Sequence, residues 1–146
     1  MIAGSCLCGS VRFELVGPPL FINHCHCSRC RKAAGAAFGS FLHADGSGFR
    51  WVSGEADVTV CDCAPFASRA FCRICGSNVP VLEDEGAHVI VPAGGLDDDP
   101  GVRPVMHFHV ASKAPWFEIT DGVPEFAEYP PEDFWLSLGL GPEDDR

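Results

Sequence analysis

The sequence predicts a mostly β fold of small antiparallel sheets with short helical turns. Two observations carry that expectation. Short stretches of alternating apolar and polar residues recur along the chain, the period of a half-buried strand. Clusters of Gly, Pro and Asp separate them, and 16 Gly and 12 Pro in 146 residues leave little room for long helices.

The clearest alternation comes first. In Val11-Arg12-Phe13-Glu14-Leu15, the apolar side chains share one face and the charges the other. Further strands are expected at Phe38 to Leu42, Phe49 to Val52, Asp57 to Val60, Val79 to Leu82, His88 to Val91 and Val105 to Val110. One helical turn is expected to start at Ser28, whose hydroxyl can cap it, run from Arg29 to Ala34 and stop at Gly35. Gly94 to Gly101, with three successive aspartates, reads as a solvated loop. Phe134, Trp135, Leu136 and Leu138 are expected to pack on the sheet. A single domain is expected over 1–146, with an ordered core over about 3–130 and a frayed tail over 139–146.

Charge and composition narrow the function classes. Ten Lys and Arg against twenty Asp and Glu give a net charge of −10, which opposes binding to nucleic acid or an anionic membrane. The start, Met1-Ile2-Ala3-Gly4-Ser5-Cys6, lacks a basic segment followed by an apolar one, and no apolar run is of spanning length. A cytoplasmic protein is the expectation. There the nine cysteines stay reduced, so their close spacings point to metal rather than disulfides.

Seven cysteines divide into two sets. Cys6-Leu7-Cys8-Gly9 and Cys72-Arg73-Ile74-Cys75-Gly76 are short knuckles followed by glycine, which admits the tight curvature that brings amides onto sulfur. Together they supply four thiolates, enough to close a structural zinc site. Cys25, Cys27 and Cys30 offer three sulfurs from one loop and the first turn of a helix. Three protein ligands leave the fourth zinc position to water or substrate, which is the catalytic arrangement. An iron–sulfur cluster would need other spacings.

Several residues leave alternatives open. Cys61 and Cys63 could close the three-cysteine site or act as small apolar groups at a strand end. His24 and His26 flank Cys25 and suit either ligand or supporting roles. His107 and His109, two apart on an expected strand, would share a face as a polar patch or metal ligands.

The segments Gly4 to Val11, His24 to Lys32 and Phe71 to Gly76 resemble the glutathione-dependent formaldehyde-activating enzyme family, which includes centromere protein V. Lys113-Ala114-Pro115-Trp116 and Asp121-Gly122-Val123-Pro124 are similar to its C-terminal segment. The resemblance implies a tent-like all-β fold around two zinc ions. It implies a structural zinc on Cys6, Cys8, Cys72 and Cys75 and a catalytic zinc on Cys25, Cys27 and Cys30. The implied activity joins glutathione to formaldehyde to give S-(hydroxymethyl)glutathione, formally a carbon–sulfur lyase reaction. Cys61 and Cys63 fall outside the family pattern.

A zinc with three thiolates carries net negative charge, so a fourth thiolate needs cations nearby. Arg29, Arg31 and Lys32 are the expected substrate-binding residues, since they place three cations beside the cluster in an acidic chain. A metal-coordinated thiol loses its proton more readily and would then attack the aldehyde carbon. Rival readings are the same zinc chemistry on another small thiol, or a non-enzymatic zinc-stabilised module that binds a protein partner. No oligomeric state is expected from sequence.

Overall fold

The computed structural model describes residues 1–63 and 67–140. In chain order the elements are β1 (Ile2–Ser5), β2 (Arg12–Leu15), β3 (Phe21–Cys25), α1 (Ser28–Ala34), β4 (Gly39–Asp45), β5 (Phe49–Ser53) and β6 (Val58–Cys61). There follow β7 (Arg69–Cys72), β8 (Asn78–Val79), β9 (Val81–Glu83), β10 (His88–Pro92), β11 (Pro104–Phe108) and α2 (Glu132–Ser137). The fold is mostly β, as the alternation predicts.

Three sheets form, in strand orders β1-β2-β5, β11-β3-β4-β10-β9 and β6-β7-β8. Neighbouring strands are antiparallel except β11, which runs parallel to β3. Phe13 and Leu15 of β2 are buried while Arg12 is exposed, and they pack with Ile22, Leu42, Val89 and Val91 of the five-stranded sheet. Each such side chain contributes about 1.5–3 kcal/mol when removed from water. A second cluster joins Val11 to Ala70, Val79 and Val81, so the first and third sheets meet around Cys6 and Cys72. Phe21, Met106 and Leu140 form a third, against which Phe134, Trp135 and Leu138 pack; Leu136 stays 54% exposed.

Several expectations need correction. β3 carries no alternation because four of its five residues are buried, so it escaped a reading based on period 2. Pro80 divides the run expected from Val79 to Leu82 into β8 and β9. β11 ends at Phe108, because His109 turns left-handed at φ 57, so His107 and His109 do not share a strand face. The loop around Asp97 is exposed but anchored: Asp97 N–H donates to the Ala3 carbonyl, Ala3 N–H to the Asp98 carboxylate, and Arg103 pairs with Asp99. Of the tail, Leu140 is buried and 141–146 lie outside the described residues.

Candidate functional site

The two cysteine knuckles meet at the seam between the first and third sheets. Cys6, Cys8, Cys72 and Cys75 place their sulfurs within 4.8 Å of one another. Each knuckle closes on a left-handed glycine: Gly9 N–H donates to the Cys6 carbonyl and Gly76 N–H to that of Cys72, both glycines at φ 76. Val11 N–H donates to the Cys6 sulfur at 3.3 Å, and Leu7 N–H to Ser77 Oγ at 3.0 Å, which ties one knuckle to the other. Ser77 also serves the Cys75 sulfur, and contact with it is the first cause holding that thiol down at about 5.

Cys25, Cys27 and Cys30 form a second group whose sulfurs also lie within 4.8 Å. β3 delivers Cys25 and α1 delivers Cys30, both buried, while Cys27 is half-exposed at the junction. The helix has the predicted span, and Gly35 ends it at φ 62. Its cap differs from expectation. Cys27 occupies the cap position with extended backbone, and its sulfur, not the Ser28 hydroxyl, accepts the Cys30 N–H at 3.4 Å. Contact with Cys30 pushes the Cys25 thiol up, while the same contact holds Cys30 down at about 6. Sulfurs packed this closely compete over protons, and a soft cation in their midst relieves that conflict.

Both donor sets fit zinc, which takes thiolates readily and accepts four of them or three plus an open position. Cys61 and Cys63 stand outside both groups. Their sulfurs lie 3.1 Å from each other. All nine cysteines are free thiols.

Of the expected substrate-binding cations, Arg29 and Lys32 are exposed on α1, and Arg31 is half-buried with its Nε donating to the His26 carbonyl at 3.4 Å. A cation that the sequence reading passed over touches the cluster. Arg69 of β7 donates from Nη2 to the Cys30 sulfur at 3.2 Å and sits over the Phe41 ring, 5.5 Å from its centroid. Its only sequence signal was position, three residues before Cys72. Tyr129, the chain's single tyrosine, is 69% exposed; partial desolvation of its hydroxyl and then the charge of Cys25, Cys27 and Cys30 push that group up.

The histidines assemble in a way that spacing did not show. His26 does not join the sulfurs; its Nε2 meets His107 Nδ1 at 2.8 Å, and His107 Nε2 meets Asp121 at 2.8 Å. Asp121 accepts, so His107 carries its proton on Nε2 and accepts from His26 at Nδ1. This chain ties the cysteine loop to the C-terminal segment. His24, with Nδ1 on Ser40 Oγ, lies beside it, grouped with His107 and Asp121. Burial first, and then His107, holds both His24 and His26 down at about 4. His109 instead packs edge-on to Tyr129.

A cavity of about 710 Å³ is lined by Cys6, Leu7, Gly76 and Ser77 at the four-cysteine seam and by Gly39, Phe41 and Arg69 on the side of the three-cysteine cluster, whose own cysteines do not line it. Among the described residues no helix is long and apolar enough to cross a membrane.

Fold and site together define a small mostly β protein with one four-sulfur and one three-sulfur cluster suited to metal. The profile of the family described as "Glutathione-dependent formaldehyde-activating enzyme" matches residues 1–112. A Halomonas elongata protein named "Putative glutathione-dependent formaldehyde-activating enzyme" is 33% identical over 96% of this chain and 98% of its own. A crystal structure of a Rhodobacter sphaeroides protein superposes with a TM-score of 0.51 at 27% identity, covering 70% of this chain and 91% of that one. The chain belongs to the glutathione-dependent formaldehyde-activating enzyme family.

Proposed function

We propose that this protein is a zinc-dependent enzyme of the carbon–sulfur lyase type that joins glutathione to formaldehyde, giving S-(hydroxymethyl)glutathione. The observation that carries this reading is the separation of the two clusters. Four sulfurs suffice for a structural metal at the sheet seam, and a second group of three lies elsewhere, beside an arginine.

Cys6, Cys8, Cys72 and Cys75 would hold the structural zinc, and Cys25, Cys27 and Cys30 the catalytic one. When bound, the catalytic zinc lowers the pKa of a coordinated thiol and keeps it a thiolate at neutral pH. The chain's own residues supply the rest. Arg69 places a permanent positive charge on the cluster and offsets the negative charge of the sulfurs. The His26–His107–Asp121 chain holds the loop between Cys25 and Cys27 in place, and Phe38 and Phe117 pack on His26 to keep water from that pair. In the reaction the thiol sulfur bonds to the aldehyde carbon, the carbonyl π pair moves to oxygen, and that oxygen takes the proton the thiol gave up. Nothing is oxidised or reduced.

Exchange spectroscopy on glutathione and ¹³C-formaldehyde tests this directly. The zinc-loaded protein should speed adduct formation above the uncatalysed rate, and Cys27→Ser should remove the acceleration. A wild-type rate equal to that of buffer would end the proposal.

A further inference from the structure

His24 and His107 stand opposite each other where β11 runs parallel to β3, so both rings leave the same face of the sheet. Cys25, the next residue of β3, leaves the other face, which sets this pair apart from the three sulfurs. Asp121 reaches the rings from the C-terminal segment. Gly122, left-handed at φ 73, turns the chain there, and the Val123 N–H donates to Asp121 Oδ1 at 3.0 Å. One ligand atom from each of His24, His107 and Asp121 lies within 4.8 Å of the other two.

The bonds around this trio are those that orient ligands of a metal. His24 engages Ser40 Oγ through Nδ1 at 2.9 Å, which leaves Nε2 as its ligand atom. His107 engages His26 Nε2 through Nδ1 at 2.8 Å, with its own Nε2 toward Asp121 Oδ2. Such outer bonds fix the orientation and tautomer of a ligating imidazole. The Phe38 ring lies 4.5 Å from that of His24 and stands edge-on to that of His107, forming an apolar wall, while the Asp121 side chain is 45% exposed and gives a way in from solvent. An ion here takes the place of the proton on His107 Nε2. His107 then carries its proton on Nδ1 and donates it to His26 Nε2, and His26 holds its own on Nδ1. Both rings stay neutral. The buried His26 Nδ1 has no hydrogen-bond partner among the described residues, so the shift breaks no bond there.

We propose that His24, His107 and Asp121 form a binding site for a divalent transition-metal ion, separate from both cysteine clusters, which clasps the C-terminal segment to the β3–β11 pair. Two imidazoles and one carboxylate suit zinc, iron(II) or cobalt(II) better than calcium or magnesium, which take oxygen ligands. Three protein ligands leave at least one position to water. The net charge of −10 favours a cation. The inference goes beyond the thiol chemistry proposed above and does not depend on it.

Cobalt(II) is the probe, because thiolate ligands give it an intense sulfur-to-metal charge-transfer band in the near ultraviolet and a nitrogen–oxygen set does not. Protein whose cysteine clusters are already filled with zinc should take up one further cobalt ion, with weak visible bands and no sulfur band. Asp121→Asn, at an exposed position where the amide oxygen can still accept the Val123 N–H, should weaken this uptake about a hundredfold or more, and His24→Gln should do the same. Ser40→Ala removes only an outer bond and should weaken it about tenfold. Circular dichroism and zinc content of each variant establish that it is folded and that its cysteine clusters are filled. Absence of further uptake at about 1 mM cobalt overturns the inference. So does a sulfur band, which would put the ion among the cysteines, or uptake unchanged in both Asp121→Asn and His24→Gln, which would make it adventitious. Formaldehyde turnover is read separately, so a failed activity and a failed site are distinguishable.

Discussion

The four-sulfur and three-sulfur clusters use the same ligand atom and are built in opposite ways. Cys6 and Cys8 follow β1, Cys72 ends β7 and Cys75 follows it, so that cluster joins segments of two sheets far apart in sequence. Cys25, Cys27 and Cys30 come from one continuous stretch, from the end of β3 through the junction into the first turn of α1. A metal at the first closes a long loop and replaces hydrophobic area that three small sheets lack. A metal at the second closes almost nothing. Its surroundings differ accordingly: the first is held by backbone amides and Ser77, whereas the second has a guanidinium and a histidine chain beside it. The proposed function assigns stability to the first cluster and chemistry to the second.

Substitutions should separate the two. Cys72→Ser, at a fully buried ligand on the seam, should cost several kcal/mol, remove one zinc and lower the melting temperature by about 10 °C or more. Calorimetry and metal analysis check this; a small shift would deny the first cluster its structural role. Cys27→Ser should remove the other zinc and cut activity about a hundredfold or more, with a far smaller change in melting, because serine can still accept the Cys30 N–H. Equal melting losses in the two variants would erase the contrast.

Acid should expose the histidine-bearing sheet as a third determinant of stability. His43 is held down at about 3, by burial first and then by His88, against an ordinary value of 6.5. The unfolded chain therefore binds the proton more readily, and this contribution to stability is complete above pH 6.5 and is lost as pH falls toward 3. Denaturant melts over that range should show a decline of a few kcal/mol that His43→Gln flattens. Zinc loss affects both proteins, so their difference isolates the histidine.

The smallest effect should come at the helix start. Ser28→Ala should change stability by less than about 0.5 kcal/mol, since the cap is Cys27. A loss of about 1 kcal/mol or more would return the cap to the Ser28 hydroxyl.

How much was legible follows from what each feature depends on. β2 and α1 announce themselves through local periodicity and caps, and they lie where expected. β3 does not, because a central strand buried on both faces has no alternation to read, and Asn23 and His24 interrupt its apolar run. The cysteine groups were readable because ligands from one turn must be close in sequence and knuckles carry their own glycine. Arg69 was not, since a lone arginine has no pattern until β7 is placed beside α1. His107 and Asp121 were likewise separate residues until β11 paired with β3 and put His107 opposite His24.

The sequence by itself determined the fold class, the family, and the division of seven cysteines into a set of four and a set of three. Those depend on spacing, periodicity and ligand chemistry, which a linear chain already contains. Only the tertiary structure decided what stands around the three sulfurs: Arg69 on Cys30, the His26–His107–Asp121 chain behind them, and Cys61 and Cys63 outside both groups. Those are contacts between distant segments, and strand pairing and burial, rather than any local pattern, bring them together.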